Sequence, residues 1–387
     1  MPVRNRFAEM LPEIAAWRRD IHAHPEILFD THRTAALVAG KLRAFGCDEV
    51  VEGIGRTGVV GVIRGRQSGE GVVALRADMD ALPIEEATGA PWASTVKGAM
   101  HACGHDGHTA MLLGAAKYLA ETRAFAGTVV VVFQPAEEGG GGGREMVEDG
   151  LMDRWGVTEV YGMHNWPGRP VGSFAIREGR FFAATDSFEI AVEGVGGHAA
   201  KPQETVDPVL AASHVVLALQ SVVSRNADPV SQVVLSVTAV ESASKAFNVI
   251  PPRVTLRGTV RTLDAEDRDM AERRLKAVAE ATASAYGARA EVRYARGYPV
   301  MSNHPRETEH AREVARAVAG ACEEAPLVMG GEDFAYMLEA RPGAYILLGN
   351  GDTAMVHHPA YDFNDEAIPA GCSWLAGMAE ARLPLRG

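Results

Sequence analysis

Cysteine, clustered basic residues and long apolar runs are all scarce in this sequence of 387 residues. Its four cysteines are Cys47, Cys103, Cys322 and Cys372. They are too few and too widely spaced for a disulfide scaffold, which indicates a reducing compartment. The longest uncharged stretch lies between Asp207 and Arg225 and contains Ser, His and Gln, so we interpret it as a packed helix rather than a membrane span. The N-terminal segment lacks the apolar core of a secretory signal, and we therefore expect a cytoplasmic protein.

Acidic residues outnumber basic ones. The chain has 38 Lys and Arg against 50 Asp and Glu, a net charge of −12, with no block of five or six basic residues. This balance disfavours nucleic acid, an anionic membrane surface or a polyanionic substrate as a partner. With 47% hydrophobic and 23% charged residues the sequence is typical of a globular protein, and its length predicts two domains or one elaborated domain.

Helical and strand patterns alternate over the first 180 residues. Helices are predicted near 5–23, 31–45 and 105–122, and strands near 57–64, 71–77, 127–133 and 158–163. The segments VVAL and VVVVF are apolar on both faces, which is typical of strands covered by helices on both sides. The predicted fold class is therefore α/β with a mainly parallel sheet, and function is expected where its strands end.

The pattern changes after about residue 184. The segments SFEIAVEG, SQVVLSVTAV and VTLRGTVRTL alternate apolar and polar residues, as strands with one covered face do. With helices near 206–224 and 264–286 and a last strand in AEVRYARG, the order is β-α-β-β-α-β, that of the ferredoxin-like unit. Helix and strand patterns resume after residue 300. We therefore expect one domain made of 1–183 and 298–387, with 184–297 inserted as a second domain.

The densest group of polar side chains lies in the segment MHACGHDGH, just before an apolar helix. A thiol and an imidazole, Cys103 and His105, stand two residues apart where a helix N-terminus would stabilise a thiolate. Sulfur beside imidazole is a ligand pair for transition metals. A His-rich surface loop is the alternative interpretation, and taken singly His101 and His108 are expected to be structural.

Two adjacent carboxylates, Glu137 and Glu138, follow the buried strand TVVVVF and precede a run of glycines at 139–143. Because adjacent side chains point in different directions, one carboxylate can bind a metal while the other takes a proton from water. The alternative is a solvent-facing charge patch. No Lys-Ser/Thr follows the glycines, so we expect close backbone approach and a flexible turn rather than a phosphate loop.

Two further imidazoles follow predicted strands. His164 comes after TEVYGM, and the doublet His357-His358 comes after AYILLG and a turn. The combined set has one sulfur, three imidazoles and one carboxylate: Cys103, His105, Glu138, His164 and His357. Five ligands are too many for one tetrahedral ion and suit two ions that share a bridge.

Eight motifs, in order along the chain, resemble a known superfamily. They are MHACGHDGH, QPAEEGGGG, GMHNWP, VEGVGGHAAKP, FNVIPP, GTVRTLD, MGGEDFA and HHPAYDFND. Together with LRADMDALPIEE at 75–86 they cover nearly the whole sequence. The resemblance is to the dinuclear-metal aminoacylase/carboxypeptidase superfamily, and within it to the branch of hippurate hydrolases, N-acyl-amino-acid amidohydrolases and plant indoleacetyl-amino-acid hydrolases.

This resemblance implies a role for each matching position in a metal centre. Cys103 would bridge two divalent ions, which could be Mn, Zn, Ni or Co, and Glu137 would be the general base. The remaining ligands implied are His105, Glu138, His164 and His357. In many relatives a His-x-Asp pair follows the strand that here ends in Asp78 and Asp80, so these two residues would support the ligands from behind.

The inserted domain resembles the lid and dimerisation domain of the superfamily. His198 would donate to the oxyanion of the tetrahedral intermediate, and Asn248 and Arg261 would hold the substrate carboxylate. Gly179 and Gly297 lie near the domain junctions and could act as hinges. The strand edge of this domain would form a homodimer or homotetramer.

The resemblance implies a metal-dependent amidohydrolase that cleaves the amide bond of small N-acyl amino acids. Two alternatives stay open on the residues alone. Cys103 could be a covalent nucleophile paired with His105 or His108, as in metal-independent thiol amidases. The chain could also bind a metal or a ligand without turnover.

Overall fold

A computed structural model describes residues 5–386 of the chain. Its α-helices are α1 (Asn5–His22), α2 (His32–Phe45), α3 (His105–Thr122), α4 (Gly142–Glu148), α5 (Leu151–Arg154), α6 (Pro208–Asn226), α7 (Ala265–Ala285), α8 (Pro305–Ala319), α9 (Phe334–Ala340) and α10 (Ile368–Arg382). Its strands are β1 (Glu49–Ile54), β2 (Gly58–Arg64), β3 (Gln67–Asp78), β4 (Ala126–Gln134), β5 (Glu159–Trp166), β6 (Phe174–Ile176), β7 (Gly179–Phe182), β8 (Ala184–Glu193), β9 (Gly197–His198), β10 (Val233–Ser242), β11 (Val249–Ile250), β12 (Arg253–Thr262), β13 (Arg289–Arg296), β14 (Met301–Asn303), β15 (Glu323–Glu324) and β16 (Gly343–Gly349).

These elements form two compact units. The second unit comprises Arg180–Met301 and Leu327–Glu332, and the first comprises the rest of the described chain. The second unit therefore takes in 180–183, 298–301 and 327–332 beyond the predicted insert 184–297. The assignment of a catalytic role to one unit and a lid role to the other stays a prediction.

The first unit is built on an eight-stranded sheet with the order β1-β2-β4-β3-β5-β16-β6-β15. Its centre is parallel, because β4 pairs with β3, β3 with β5, and β5 with β16 in that sense. Strands β4, β5 and β16 are buried along nearly their whole length, and β3 is buried over its second half, as the apolar segments predicted. Antiparallel pairs flank this centre, with β1 on β2, β2 on β4 and β16 on β6.

Helices cover both faces of this sheet. The larger layer contains α1, α2, α3, α8 and α10, and α3 lies at its centre in contact with α1, α2 and α10. The other face is covered by α4 and α9. Helix α3 is buried on nearly every side, so its N-terminal residues are held firmly beneath the ends of the strands. The α/β class predicted from the sequence is thus observed.

The second unit has a four-stranded antiparallel sheet with the order β10-β12-β8-β13. Two helices, α6 and α7, pack together and against this sheet. Strands β8, β10, β12 and β13 with these helices give the predicted β-α-β-β-α-β order, and the strand order is that of the ferredoxin-like unit. Strands β8 and β12 bury alternate residues over most of their length, which matches the period of two in their sequences.

Helix α6 is the one described helix that is long and apolar enough to cross a membrane by length and composition. A core helix passes the same test, so this is weak evidence for a membrane span. Ala211, Val215 and Leu219 of α6 are fully buried in the core of the second unit. This burial agrees with the packed helix interpreted from the sequence.

Several elements escaped the sequence patterns, among them α4, α10 and the short strands β6 and β15. The run of glycines at 139–143 was expected to form a turn, but α4 begins within it at Gly142. A Cβ atom at Gly142 would overlap the carbonyl oxygen of Pro135, and Gly139 has φ +94°. The expected close backbone approach is therefore observed, and it explains why glycine is required here.

Candidate metal centre

The carboxyl ends of the four central parallel strands meet at one edge of the large sheet. Asp78 ends β3 beside Gln134 of β4, and the chain continues from β4 directly to Glu137 and Glu138. His164 lies near the end of β5. Helix α3 begins at His105 under this edge. Residues far apart in the sequence therefore converge because parallel strands end on the same side.

The five predicted ligands lie in overlapping groups whose ligand atoms are all within 4.8 Å of one another. One group contains Cys103, His105 and His164, and a second contains Cys103, Glu138 and His357. The Sγ atom of Cys103 is 3.3 Å from Nε2 of His164. Oε1 of Glu138 is 3.3 Å from Nε2 of His357 and 3.9 Å from Nε2 of His105. Cys103 belongs to both groups, as a shared ligand would.

The two buried imidazoles present the same nitrogen to this cluster. Nδ1 of His105 lies 2.9 Å from the carbonyl oxygen of Asp80, and Nδ1 of His164 lies 2.6 Å from that of Asn165. A carbonyl only accepts, so each Nδ1 carries a proton and each Nε2 is the nitrogen left to bind a metal. This is the tautomer and second hydrogen bond found on histidines that bind metals.

Two buried polar atoms in the cluster have no hydrogen-bond partner among the described residues. They are Nε2 of His105 and Oε1 of Glu138. A buried polar atom without a hydrogen-bond partner is costly, and two such atoms 3.9 Å apart form a place where a cation could bind. With sulfur, imidazole and carboxylate as the available donors, the residues fit a pair of divalent transition-metal ions.

Negative charge dominates the surroundings of His105. Burial lowers the pKa of His105, but the carboxylates of Asp78, Asp80 and Glu138 outweigh it and raise the pKa to about 10. Burial likewise raises the pKa of Glu138, yet the neighbouring imidazoles of His357 and His105 bring it below its usual value. The centre therefore favours positive charge, which a proton or a metal ion can supply.

Asp80 fixes the backbone that carries the paired carboxylates. Its Oδ1 accepts a hydrogen bond from the backbone N–H of Glu137 at 3.0 Å, and its Oδ2 accepts one from that of Glu138 at 3.1 Å. Ala136 just before them has φ +54°, a rare conformation for a residue with a side chain. Glu137 is 7% exposed. The carboxylate of Asp80 thus holds the backbone of both glutamates in place, and we call these two hydrogen bonds the clamp from Asp80.

The backbone at His357 is also in a rare conformation, with φ +67°. Its N–H donates to the carbonyl oxygen of Ala102 at 2.7 Å, which ties this loop to the segment that carries Cys103. The neighbouring His358 instead accepts a hydrogen bond from the backbone N–H of Ala360. Of the two adjacent imidazoles, only His357 belongs to a group of ligand atoms. Left-handed backbone of this kind is concentrated at functional sites.

Cys103 lies just before α3, whose N-cap residue is Gly104. The helix was expected to favour its thiolate, but burial and then the carboxylates of Glu138, Glu137 and Asp78 raise the pKa of Cys103 well above its usual value. Burial also lowers the pKa of the adjacent His164 well below its usual value. The Cys103 thiolate that a thiol amidase would need, whether paired with His105 or with His108, is therefore disfavoured at this position.

The three remaining predicted site residues lie in the second unit. His198 and Asn248 are exposed and adjacent, since β9 pairs with β11 and the N–H of Ala199 donates to the carbonyl of Asn248. Nδ1 of His198 accepts a hydrogen bond from the N–H of Ala200 at 3.1 Å, so its Nε2 carries the donor proton. Arg261 is half-buried on β12, where its Nη1 bonds Thr259 and the carbonyl of Val260.

Sequence reasoning missed the side chains behind the ligands. Asn165 and Tyr361 are fully buried and hydrogen-bonded to each other, and Asn165 also contacts His108. Asn165 follows His164 directly, and Tyr361 lies in the segment HHPAY, so both belong to motifs already noted. Sequence position alone gave no sign that their side chains meet.

Comparison with known proteins extends this picture. Residues 74–381 match the model of peptidase family M20/M25/M40. The chain is 42% identical to the hippurate hydrolase of Campylobacter jejuni over 366 residues and 41% identical to the N-acetylcysteine deacetylase of Bacillus subtilis over 367 residues, each alignment covering 94% of both chains. A solved Bacillus subtilis structure, described as a dinuclear metal-binding peptidase of the M20 family, superposes with a TM-score of 0.83 at 36% identity, covering 96% of this chain and 98% of that one.

The matched family, the named relatives and the superposed structure agree with the motifs, so the resemblance noted in the sequence is confirmed. The match includes every predicted ligand, because all five lie between residues 74 and 381. This chain belongs to peptidase family M20/M25/M40.

Proposed function

We propose that the chain is a metal-dependent amidohydrolase that cleaves N-acyl amino acids into a carboxylic acid and a free amino acid. The relatives named hippurate hydrolase and N-acetylcysteine deacetylase support this reaction class. The observation that carries the proposal is the convergence of five metal-binding side chains with a further buried carboxylate, Glu137, whose ligand atom lies within 4.8 Å of those of His105 and Glu138.

The proposed ligands of two divalent cations are Cys103, His105, Glu138, His164 and His357. Cys103 would be available to either ion, because it belongs to both groups of ligand atoms. When bound, two such ions supply Lewis acidity that polarises an amide carbonyl and makes water more acidic. We propose Mn, Zn, Ni or Co, since all four accept mixed sulfur, nitrogen and oxygen ligands.

Glu137 is the proposed general base. Its carboxylate takes a proton from the attacking water while the oxygen of that water forms a bond to the carbonyl carbon. When the carbon–nitrogen bond then breaks, Glu137 passes the proton to the leaving amine, so that acid and amino acid are both formed from one water. The clamp from Asp80 supports this role, because it fixes the main chain from which Glu137 projects.

Substrate-binding roles are proposed for three residues of the second unit. His198 donates from Nε2 to the oxyanion, which its exposed ring and hydrogen-bonded Nδ1 support. Asn248 and Arg261 hold the free carboxylate of the substrate, a role that suits a guanidinium because it pairs with carboxylate in two parallel hydrogen bonds. Gly179 has φ +70° and no atom near the position of a Cβ, which supports its proposed use as a hinge.

The second unit is also the proposed interface of a homodimer or homotetramer. Its edge strand β10 exposes Val234 and Val240, and α6 exposes Leu210 and Leu217. Exposed apolar residues on an open strand edge favour self-association. We further propose a cytoplasmic location, to which the four cysteines without disulfides contribute support.

Replacing Glu137 by Gln tests the proposed reaction. The amide keeps the size of the side chain but cannot take a proton, so turnover of N-benzoylglycine is expected to fall by roughly 100-fold to 10,000-fold. Metal analysis should still find two ions per chain. Glu148→Gln, an exposed residue of α4, is the matched control and should keep parental turnover. Parental turnover in Glu137→Gln would contradict the assignment.

Removal of metal separates this function from its two alternatives. A chelator is expected to abolish hydrolysis, and added cation should restore it. A thiol amidase based on Cys103 would instead keep its activity without metal and show a burst of acyl-enzyme. A protein that only binds would show binding of acetyl-, benzoyl- and indoleacetyl-amino acids without product.

A further inference from the structure

Four buried polar side chains form a continuous hydrogen-bonded row behind the proposed ligands. They are Asp78, His108, Asn165 and Tyr361, and each is at most 2% exposed. We call this set the support row. None of its members belongs to the five proposed ligands, and the reaction described above gives them no part. Burying four polar groups is costly unless each is hydrogen-bonded, so their arrangement requires a reason.

The ring of His108 is held at both ends. Its Nδ1 lies 2.6 Å from Oδ1 of Asp78, and its Nε2 lies 2.7 Å from Oδ1 of Asn165 and 3.0 Å from the backbone nitrogen of Asn165. Asp78 is in turn held by Arg76 at 2.7 Å. An imidazole with contacts on both nitrogens and buried faces has one accessible orientation.

Asn165 connects this ring to a proposed ligand. Its side-chain Oδ1 accepts a hydrogen bond from Nε2 of His108, and its carbonyl oxygen accepts the hydrogen bond from Nδ1 of His164. The side chain and the carbonyl group of Asn165 are thus both fixed, one by His108 and one by His164. The orientation of the His164 ring, which places Nε2 3.3 Å from Cys103, follows from this arrangement.

The side chain of Asn165 also packs against the turn that carries two other proposed ligands, Cys103 and His105. This side chain donates to the hydroxyl of Tyr361, and this pair lies against Gly104. A Cβ at Gly104 would lie 2.5 Å from the Tyr361 oxygen and closer still to Oδ1 of Asn165. Cys103 and His105 flank Gly104 in the sequence, so the support row touches both segments that form the first group of ligand atoms.

We propose that Asn165 and His108 are positioning residues that set the relative orientation of His164 and the Cys103–His105 turn and thereby the affinity for the cations. This inference rests on the proposed function, because it takes those three residues as ligands. Outer hydrogen-bonding partners of this kind change metal affinity by roughly 10-fold to 100-fold when they are replaced.

Asn165→Leu tests the proposal, since leucine has nearly the same size and removes both side-chain hydrogen bonds. Cobalt(II) alone is titrated into the metal-free chain, and both the affinity and the visible absorption of the saturated protein are measured. We expect the affinity to fall by roughly 10-fold to 100-fold, with a changed spectrum at saturation. Asn165→Asp keeps an oxygen toward His108 and should recover much of the affinity.

Asn303→Leu is the matched control. Asn303 is 2% exposed in the same unit and bonds the carbonyls of Arg177 and Tyr345, with no contact to the ligands. It should lower stability but leave cobalt affinity and spectrum as in the parent. If both leucine variants lost the same cobalt affinity, the effect of the support row would be one of general packing, and the proposal would be wrong.

Parental affinity and spectrum in Asn165→Leu would overturn it as well. If Asn165→Leu does not fold, His108→Gln decides by the same two readouts. A parent chain that binds no cobalt would refute the proposed function together with this inference. A parent that binds two ions, with variants that bind them equally well, would refute this inference alone.

Discussion

The glycine between Cys103 and His105 offers a sharp test of how the candidate centre is built. Gly104 has φ +90°, and its missing Cβ leaves the space that Asn165 and Tyr361 occupy. In Gly104→Ala the methyl group and those two polar atoms cannot keep their positions. Asn165 must turn away, which breaks its hydrogen bonds to Tyr361 and His108.

The size of this effect follows from two contributions. An L-residue in left-handed backbone costs about 1–2 kcal/mol. Each of two broken buried hydrogen bonds costs about 1–3 kcal/mol more. We therefore expect Gly104→Ala to lower the free energy of unfolding by about 3 kcal/mol or more, a large part of the roughly 5–15 kcal/mol that is typical of a folded domain.

Gly46→Ala is the matched control, because Gly46 has φ +81° at the end of α2 but no atom within 4 Å of a Cβ position. It should lose only the backbone contribution of about 1–2 kcal/mol. All five tryptophans lie in the first unit, so tryptophan fluorescence during urea unfolding reports on that unit alone. Equal loss of stability in the two variants, with unchanged cobalt affinity in Gly104→Ala, would refute the reasoning.

Three further outcomes are expected. Burial lowers the pKa of His22, but Asp106 and Glu86 outweigh it and raise the pKa to about 9. The protonated ring therefore stabilises the fold fully below pH 6.5, and this stabilisation is lost as the pH rises through 9. The difference in free energy of unfolding between the parent and His22→Gln, measured in urea, should shrink by on the order of 3 kcal/mol over that range, and a constant difference would contradict the assignment. Arg261→Lys should raise KM about 10-fold for substrates with a free carboxylate and leave KM unchanged for the corresponding carboxamides, as loss of paired hydrogen bonds requires. Leu217→Glu places a charge on the exposed side of α6 and should shift gel filtration of the proposed dimer to monomer mass, whereas a parent that already elutes as a monomer would remove the proposed interface.

The sequence predicted the centre of the fold better than its edges, for a physical reason. Strand β4 and the second half of β3 are buried on both faces, so their apolar runs are easy to recognise. The sequence of the inserted unit alternates with a period of two in nearly every strand. Short pieces such as β6 and β15 carry too few residues for any period. Helix α4 starts in a glycine-rich segment that disfavours helix, and contacts with distant residues decide its conformation.

The candidate site divides in a similar way. Side chains with metal-binding chemistry can be recognised from their type and place: Cys103 lies just before a helix, and His164 lies near the end of a strand. The contacts that orient them could not be predicted, since the acceptors for His105 and His164 are backbone carbonyls, which every residue has. The clamp from Asp80 likewise acts on main-chain N–H groups.

The spacing of the proposed ligands along the chain bears on the order of events during synthesis. Four of them are translated by residue 164, but His357 emerges roughly two hundred residues later, after the whole inserted unit. Until then a nascent chain holds an incomplete set of donors, and one side of β5 is unpaired because β16 has yet to bind there. The proposed ligand set is therefore complete only after the inserted unit has been synthesised. The binding energy of the ions would then stabilise the finished fold instead of guiding its early stages.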